Sequence, residues 1–130
     1  MAHRNASGTF IWAAVATGYG ALACLLRWPL PLHFRTHLLA DPASDAGVYV
    51  WNLWIFRHEL LRHAHLPVST DHLFAYTGGA DFSLHNYAPV ASTIGAPFVA
   101  VFGVVGAFNT ALLTLAALSG VTTYLLARHL

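Results

Sequence analysis

One stretch of the sequence, residues 82–127, limits what the chain can fold into more than any other feature: its 46 residues include no Asp, Glu, Lys or Arg. A second uncharged and mostly apolar stretch, 5–26, is 22 residues long. A helix of about 20 apolar residues is long enough to cross the hydrocarbon core of a bilayer. Charged residues make up only 8% of the chain, against about 25% of an average globular domain. The sequence therefore predicts a single all-α membrane domain over 1–130, with the lipid bilayer as its partner.

The two apolar stretches predict two or three transmembrane helices. The first is predicted over 8–28, with Trp12 and Trp28 near its ends, where indole rings favour the membrane interface. A cleaved signal peptide is the alternative, but this apolar run is longer than the roughly 7–15 residues of a signal-peptide core. In the second stretch, prolines and glycines interrupt 89–105. We therefore predict an interfacial or short spanning helix over 89–105 and a transmembrane helix over 107–128.

Between these stretches, residues 31–88 are predicted to form a loop that carries an amphipathic helix over 46–64. At 3.6 residues per turn, most polar residues of this helix fall on one side and its tryptophans on the other. This pattern is typical of a helix lying on the membrane surface. Most of the arginines follow the first apolar stretch, which by the positive-inside rule favours a cytoplasmic loop, but the rule weakens for loops approaching about 60 residues. Charge alone leaves the orientation open.

The few charged residues restrict the candidate chemistry. A formal net charge of +1 provides no basic surface for nucleic acid, and a single cysteine excludes an intramolecular disulfide. His58 and His63 are about 140° apart around a helix, whereas the two histidines of a zinc-protease motif share one face, so no metal site is predicted. Asp41 and Asp45 precede the amphipathic helix, where each would suit a helix N-cap or a general base. For each acid taken alone, the structural role is the favoured one.

The order of these parts resembles the N-terminal region of bacterial polytopic GT-C glycosyltransferases, and of related membrane proteins of unknown function. The resemblance extends over about residues 8–130. It is carried by the first apolar span, the loop Asp41-Pro-Ala-Ser-Asp45, the helix Tyr49-Val-Trp-Asn-Leu-Trp-Ile-Phe-Arg-His58, the segment Leu73-Phe-Ala-Tyr-Thr-Gly-Gly-Ala-Asp-Phe-Ser-Leu-His-Asn86, and the apolar run that ends in Tyr124-Leu-Leu-Ala-Arg128.

This resemblance implies an inverting transfer of a sugar from a polyprenyl-phosphate donor to an acceptor hydroxyl. A loop carboxylate would act as general base, and the lipid phosphate would be the leaving group. The protein would be a multi-pass protein of the bacterial inner membrane, with a cytoplasmic N-terminus and an extracytoplasmic loop 31–88. In such enzymes two helices of this loop lie on the membrane, which would be 46–64 and 89–105 here.

The resemblance also assigns candidate site residues. Asp45 best matches the catalytic acid, and Asp41 is the second choice. Many members have two acids one residue apart, whereas Asp41 and Asp45 are four apart, so the sequence leaves a bound divalent metal open. Candidate contacts for the lipid phosphate, because cationic groups suit phosphate oxygens, are Arg57, Arg62 and His85.

The number of predicted spans limits what this chain does alone. GT-C enzymes need many more spans than two or three to build a donor cavity. We therefore expect an N-terminal fragment of a longer enzyme that is inactive by itself. The alternative function is that of a non-catalytic small membrane subunit or scaffold, or of a transporter fragment.

Overall fold

The computed structural model describes residues 3–38, 40, 44–64, 68–70, 79–82 and 88–130. Of these described residues, 79% are helical. The helices are α1 (His3–Leu26), α2 (Ala46–His63), α3 (Pro89–Gly95) and α4 (Val99–His129), with 3₁₀ turns at Leu30–Leu32 and Ala96–Phe98. Two short strands, β1 (Ser69–Thr70) and β2 (Ala80–Asp81), pair antiparallel. The helix predicted over 46–64 corresponds to α2, and α1 begins earlier and ends earlier than the predicted span 8–28.

The mostly helical fold also contains a short β-ladder that the sequence did not predict. Ser69 lies opposite Asp81 and Thr70 opposite Ala80, and the Phe82 amide extends the pairing by donating to the Val68 carbonyl at 2.8 Å. A strand is recognised in a sequence by four or more residues that alternate between apolar and polar. Strands of two residues are too short to show that alternation, so the sequence pattern did not reveal them.

Two regions of the fold are long and apolar enough to cross a membrane. The first is Thr9–Leu26 within α1, and the second is the helical stretch Pro89–His129, which contains α3 and α4. Only 6% of the first region, and only 22% of the 18-residue window that qualifies the second, are buried inside the protein. A helix that is apolar all round needs an apolar environment on every side, and most of this surface finds none within the protein.

Gly103 interrupts the second apolar region. Its backbone has φ 73° and ψ 172°, a conformation that glycine adopts readily because it lacks a Cβ atom. The helical residues up to 102 are thereby separated from 104–129, a segment that is by itself long enough to span a bilayer. The sequence predicted separate helices over 89–105 and 107–128, and in the structure the break falls at Gly103.

The chain divides into two compact units, one made of Met1–His33 with Leu112–Leu130 and the other of Phe34–Ala111. In the first unit, the Trp12 ring meets the Tyr124 ring edge-on, with 6.1 Å between centroids. The Arg128 guanidinium lies 5.9 Å from the centre of the same Trp12 ring. The N-terminal part of α1 therefore packs beside the C-terminal part of α4, so the two helices are antiparallel, and the start of α1 and the end of α4 lie at the same end of the pair.

In the second unit, the segment that follows the first 3₁₀ turn is fastened to α4 by side-chain hydrogen bonds. Asn109 Nδ2 donates to the carbonyls of Phe34 and His37, at 2.8 Å each. The Arg35 guanidinium donates to the Val101 carbonyl at 2.6 Å and lies 5.4 Å from the Phe102 ring centre. Because the helix breaks at Gly103, the Val101 carbonyl lies near a helix end, where carbonyls lack intrahelical donors and a cation can satisfy them.

Candidate functional site

Asp45 occupies the N-cap position of α2. Its carbonyl accepts hydrogen bonds from the amides of Val48 and Tyr49, at 2.9 and 3.2 Å. Its carboxylate makes no capping hydrogen bond to the first turn, and the residue is exposed. The Ser44 hydroxyl instead accepts from the Ala46 amide at 3.4 Å. The Asp45 carboxylate therefore lies at the positive end of the helix dipole and makes no capping hydrogen bond.

Of the other predicted site residues, only Arg57 and Arg62 are among those that the structure describes, and neither lies beside Asp45. Asp41 and His85 lie outside the described residues. Arg57 and Arg62 lie farther along α2, and at 1.5 Å of rise per residue they are about 18 and 25 Å from Asp45 along the helix axis. Among the residues that the structure describes, no three His, Cys, Asp or Glu side chains come together in a way that could hold a metal ion.

The faces of α2 are arranged differently from what its sequence pattern indicated. The side that contains Asn52 and Glu59 packs into the protein, where these residues are only 1% and 2% exposed, together with Leu53. Trp54 and Leu61, from the apolar side, are exposed. The sequence predicted a membrane-surface helix from the separation of the two sides, but the structure buries part of each side: Ile55 of the apolar side is also buried, whereas Arg62 and His63 of the polar side are exposed. Apolar side chains that face outward suit contact with lipid.

Glu59 joins α2 to β1 by hydrogen bonds. Its Oε1 accepts from the Thr70 hydroxyl at 2.9 Å, and its Oε2 pairs with His63 Nδ1 at 2.5 Å. Burial acts to raise the pKa of Glu59, but the hydrogen bonds from His63 and Thr70 and the positive charges of His63 and His58 outweigh it and hold the pKa below its usual value. The sequence indicated a pairing along the helix with Arg62 or His63, but gave no signal for Thr70.

This Glu59 cluster predicts a pH dependence of stability. A folded-state pKa that lies below the unfolded value means that ionised Glu59 stabilises the fold. This contribution is complete above the unfolded value, near 4.5, and is lost as the pH falls through the lower folded-state pKa. We expect Glu59→Gln to reduce the free energy of unfolding by about 1–2 kcal/mol at neutral pH.

The measurement is unfolding in detergent micelles between about pH 7 and pH 3. Because other carboxylates also titrate in this interval, the informative quantity is the difference between wild type and Glu59→Gln, which is expected to shrink on acidification. Asp81→Asn, which changes an exposed carboxylate, is the matched control. A difference that stays constant down to the lowest pH would show that the Glu59 charge does not stabilise the fold.

A cavity of about 520 Å³ lies between α2 and the helical stretch that begins with α3. We call it the α2–α3 groove, and it is lined by Phe56, Arg57, Leu60, Leu61, Thr93, Ala96, Pro97 and Ala100. Apart from Arg57 and Thr93 its side chains are apolar. The Thr93 hydroxyl donates to the Pro89 carbonyl within its own helix, at 2.8 Å.

Comparison of the chain with protein-family profiles, with curated proteins and with solved structures found no match.

Proposed function

We propose that the chain is the N-terminal, membrane-embedded part of a glycosyltransferase that transfers a sugar from a polyprenyl-phosphate donor to an acceptor hydroxyl, with Asp45 as the general base. The resemblance in the order of the sequence elements suggests this function. The observation that supports it best is the exposed Asp45 carboxylate, which makes no capping bond although it stands at the N-terminus of α2. A carboxylate used only as a cap would be expected to bond to the first turn of its helix.

In the proposed reaction, the Asp45 carboxylate accepts the proton of the acceptor hydroxyl as the hydroxyl oxygen attacks the anomeric carbon. The bond between that carbon and the donor phosphate oxygen breaks, and the lipid phosphate leaves with the electron pair. Attack on the side opposite to the leaving group inverts the configuration at the anomeric carbon. Such a base contributes by being within hydrogen-bond reach of the proton that it removes.

The proposal includes an orientation in the bacterial inner membrane. The start of α1 and the end of α4, which lie at the same end of the pair, would be cytoplasmic, and α2 with Asp45 would be on the outer side. Arg4 and Arg128 lie near the two termini, in agreement with the enrichment of arginine on cytoplasmic sides.

The test is Asp45→Asn in the enzyme that carries this chain at its N-terminus. We expect turnover with a polyprenyl-phosphate sugar to fall by about 10²–10⁴-fold, since removal of a general base costs this much. The helical content measured by circular dichroism should not change, because the carboxylate makes no bond to α2. Asp81→Asn, which removes an exposed carboxylate elsewhere in the same loop region, should retain activity. Full turnover in Asp45→Asn would exclude the proposed base.

The alternative is a non-catalytic membrane subunit. It is favoured by the separation of the candidate residues, because Arg57 and Arg62 lie about 18 and 25 Å from Asp45 along α2. This alternative predicts that sugar transfer is absent in the wild type as well as in Asp45→Asn.

A further inference from the structure

The α2–α3 groove has a feature that the proposed reaction does not use, which is a single cationic side chain in an otherwise apolar cavity. We infer that this groove binds one acyl chain of an anionic membrane phospholipid, with the Arg57 guanidinium on the lipid phosphate. The inference does not depend on the proposed glycosyltransferase activity, since it applies equally to a non-catalytic membrane subunit.

The groove has the shape of a site for an elongated apolar group. On one side its lining residues recur at the spacing of a single helix face: Phe56, Arg57, Leu60 and Leu61. The other side is lined by Thr93, Ala96, Pro97 and Ala100, whose spacing of three and four residues also corresponds to one helix face. The cavity therefore runs between two helices, and its volume of about 520 Å³ is within the usual range for small-molecule sites. The buried Phe56 forms its floor, whereas Leu61 and Ala100 are exposed at its rim.

Charge argues for an anionic ligand. Arg57 is half-buried, and among the described residues no carboxylate lines the groove beside it. Glu59 is directed to Thr70 and His63, and Asp45 is about 18 Å away along α2. A partly desolvated guanidinium in an apolar cavity is stabilised by an anion, and its planar donors match phosphate oxygens in pairs.

The surroundings of the groove favour a membrane lipid as the source of that anion. Exposed Trp54 and Leu61 lie on the outward face of α2, and tryptophan concentrates at the level of the lipid headgroups. At that depth Arg57 meets phosphates, while the apolar walls meet acyl chains. Transfer of an acyl chain from the bilayer into the groove contributes little binding free energy, because lipid tails are as apolar as leucine side chains. Selectivity should therefore come from the headgroup charge.

The test is native mass spectrometry of the full chain in detergent micelles, with equal amounts of phosphatidylglycerol and phosphatidylcholine that carry the same acyl chains. We expect the wild type to retain phosphatidylglycerol about tenfold over phosphatidylcholine, because both lipids carry the phosphate but the choline ammonium of the second offsets its charge and repels the Arg57 guanidinium. Arg57→Gln should abolish this preference, and Ala100→Trp should reduce retention of both lipids by filling the groove.

Two matched variants control for general effects. Arg27→Gln removes the same charge outside the groove, and Ala13→Trp adds the same bulk at an exposed position of α1. Both should behave as wild type, and circular dichroism should confirm that all variants keep their helical content. Equal retention of the two lipids by the wild type, or an unchanged preference in Arg57→Gln, would overturn the inference. Displacement of phosphatidylglycerol by an equimolar polyprenyl phosphate would also overturn it, since the groove would then belong to a sugar-carrier lipid.

Discussion

Replacing Asn109 by alanine is expected to lower the free energy of unfolding by about 2–4 kcal/mol. Asn109 is 1% exposed, and its amide nitrogen donates to the carbonyls of Phe34 and His37. Truncation would remove both part-buried hydrogen bonds, each of which contributes about 0.5–1.5 kcal/mol, and the packing of a buried side chain. The Asn109 amide oxygen has no hydrogen-bond partner in the described part of the chain, so the loss of that oxygen should cost little.

The control for this prediction is the adjacent Thr110→Val. The Thr110 hydroxyl donates only to the Gly106 carbonyl in its own helix, and we expect a change within about 0.5 kcal/mol. Asn109→Asp keeps the shape of the side chain but replaces the donor with an acceptor that faces two carbonyls, so it should destabilise at least as much as alanine. Denaturant unfolding in micelles, followed by circular dichroism, measures all three. An Asn109→Ala variant as stable as Thr110→Val would mean that the two hydrogen bonds do not hold the segment on α4.

The second large effect is expected at Gly120 of α4, where the Tyr19 side chain of α1 lies against the glycine. A Cβ atom added there would lie 2.1 Å from Cδ1 and 2.6 Å from Cγ of Tyr19. Glycine permits such an approach between membrane helices because it presents no side chain. Gly120→Ala should therefore destabilise the helix pair by about 1–3 kcal/mol, the usual cost of overpacking, although alanine is favoured over glycine in helices by about 1 kcal/mol.

Gly18→Ala is the matched control in the partner helix. A Cβ atom there would meet nothing within 4 Å, so only the favourable helix propensity should remain and this variant should be neutral or more stable. The double variant Tyr19→Ala with Gly120→Ala should recover part of the loss, and the coupling energy of the cycle reports the contact directly. If Gly120→Ala and Gly18→Ala gave the same thermal midpoint, the close approach of α1 and α4 would be refuted.

Predictability differed among the parts of the candidate site. The position of Asp45 directly before a helix followed from local sequence, because cap residues and helix starts are encoded within a few neighbouring residues. Only the structure showed that the Asp45 carboxylate makes no capping hydrogen bond. Only the structure likewise showed that Arg57 and Arg62 lie farther along α2, away from Asp45. The α2–α3 groove could not be foreseen, because its two walls come from segments more than 30 residues apart.

The sequence by itself determined that the chain forms long helices that could cross a membrane. Uncharged stretches of this length satisfy their backbone hydrogen bonds in an apolar environment only by forming helices. Tertiary structure decided which side of α2 faces the protein. Glu59 and Asn109 are tolerated in the interior because their partners, Thr70 for the first and the 34–37 segment for the second, are brought to them by the fold. A periodic pattern reports only the average polarity of a helix face, and therefore cannot show whether a distant residue completes the hydrogen bonds that make burial of a polar side chain favourable.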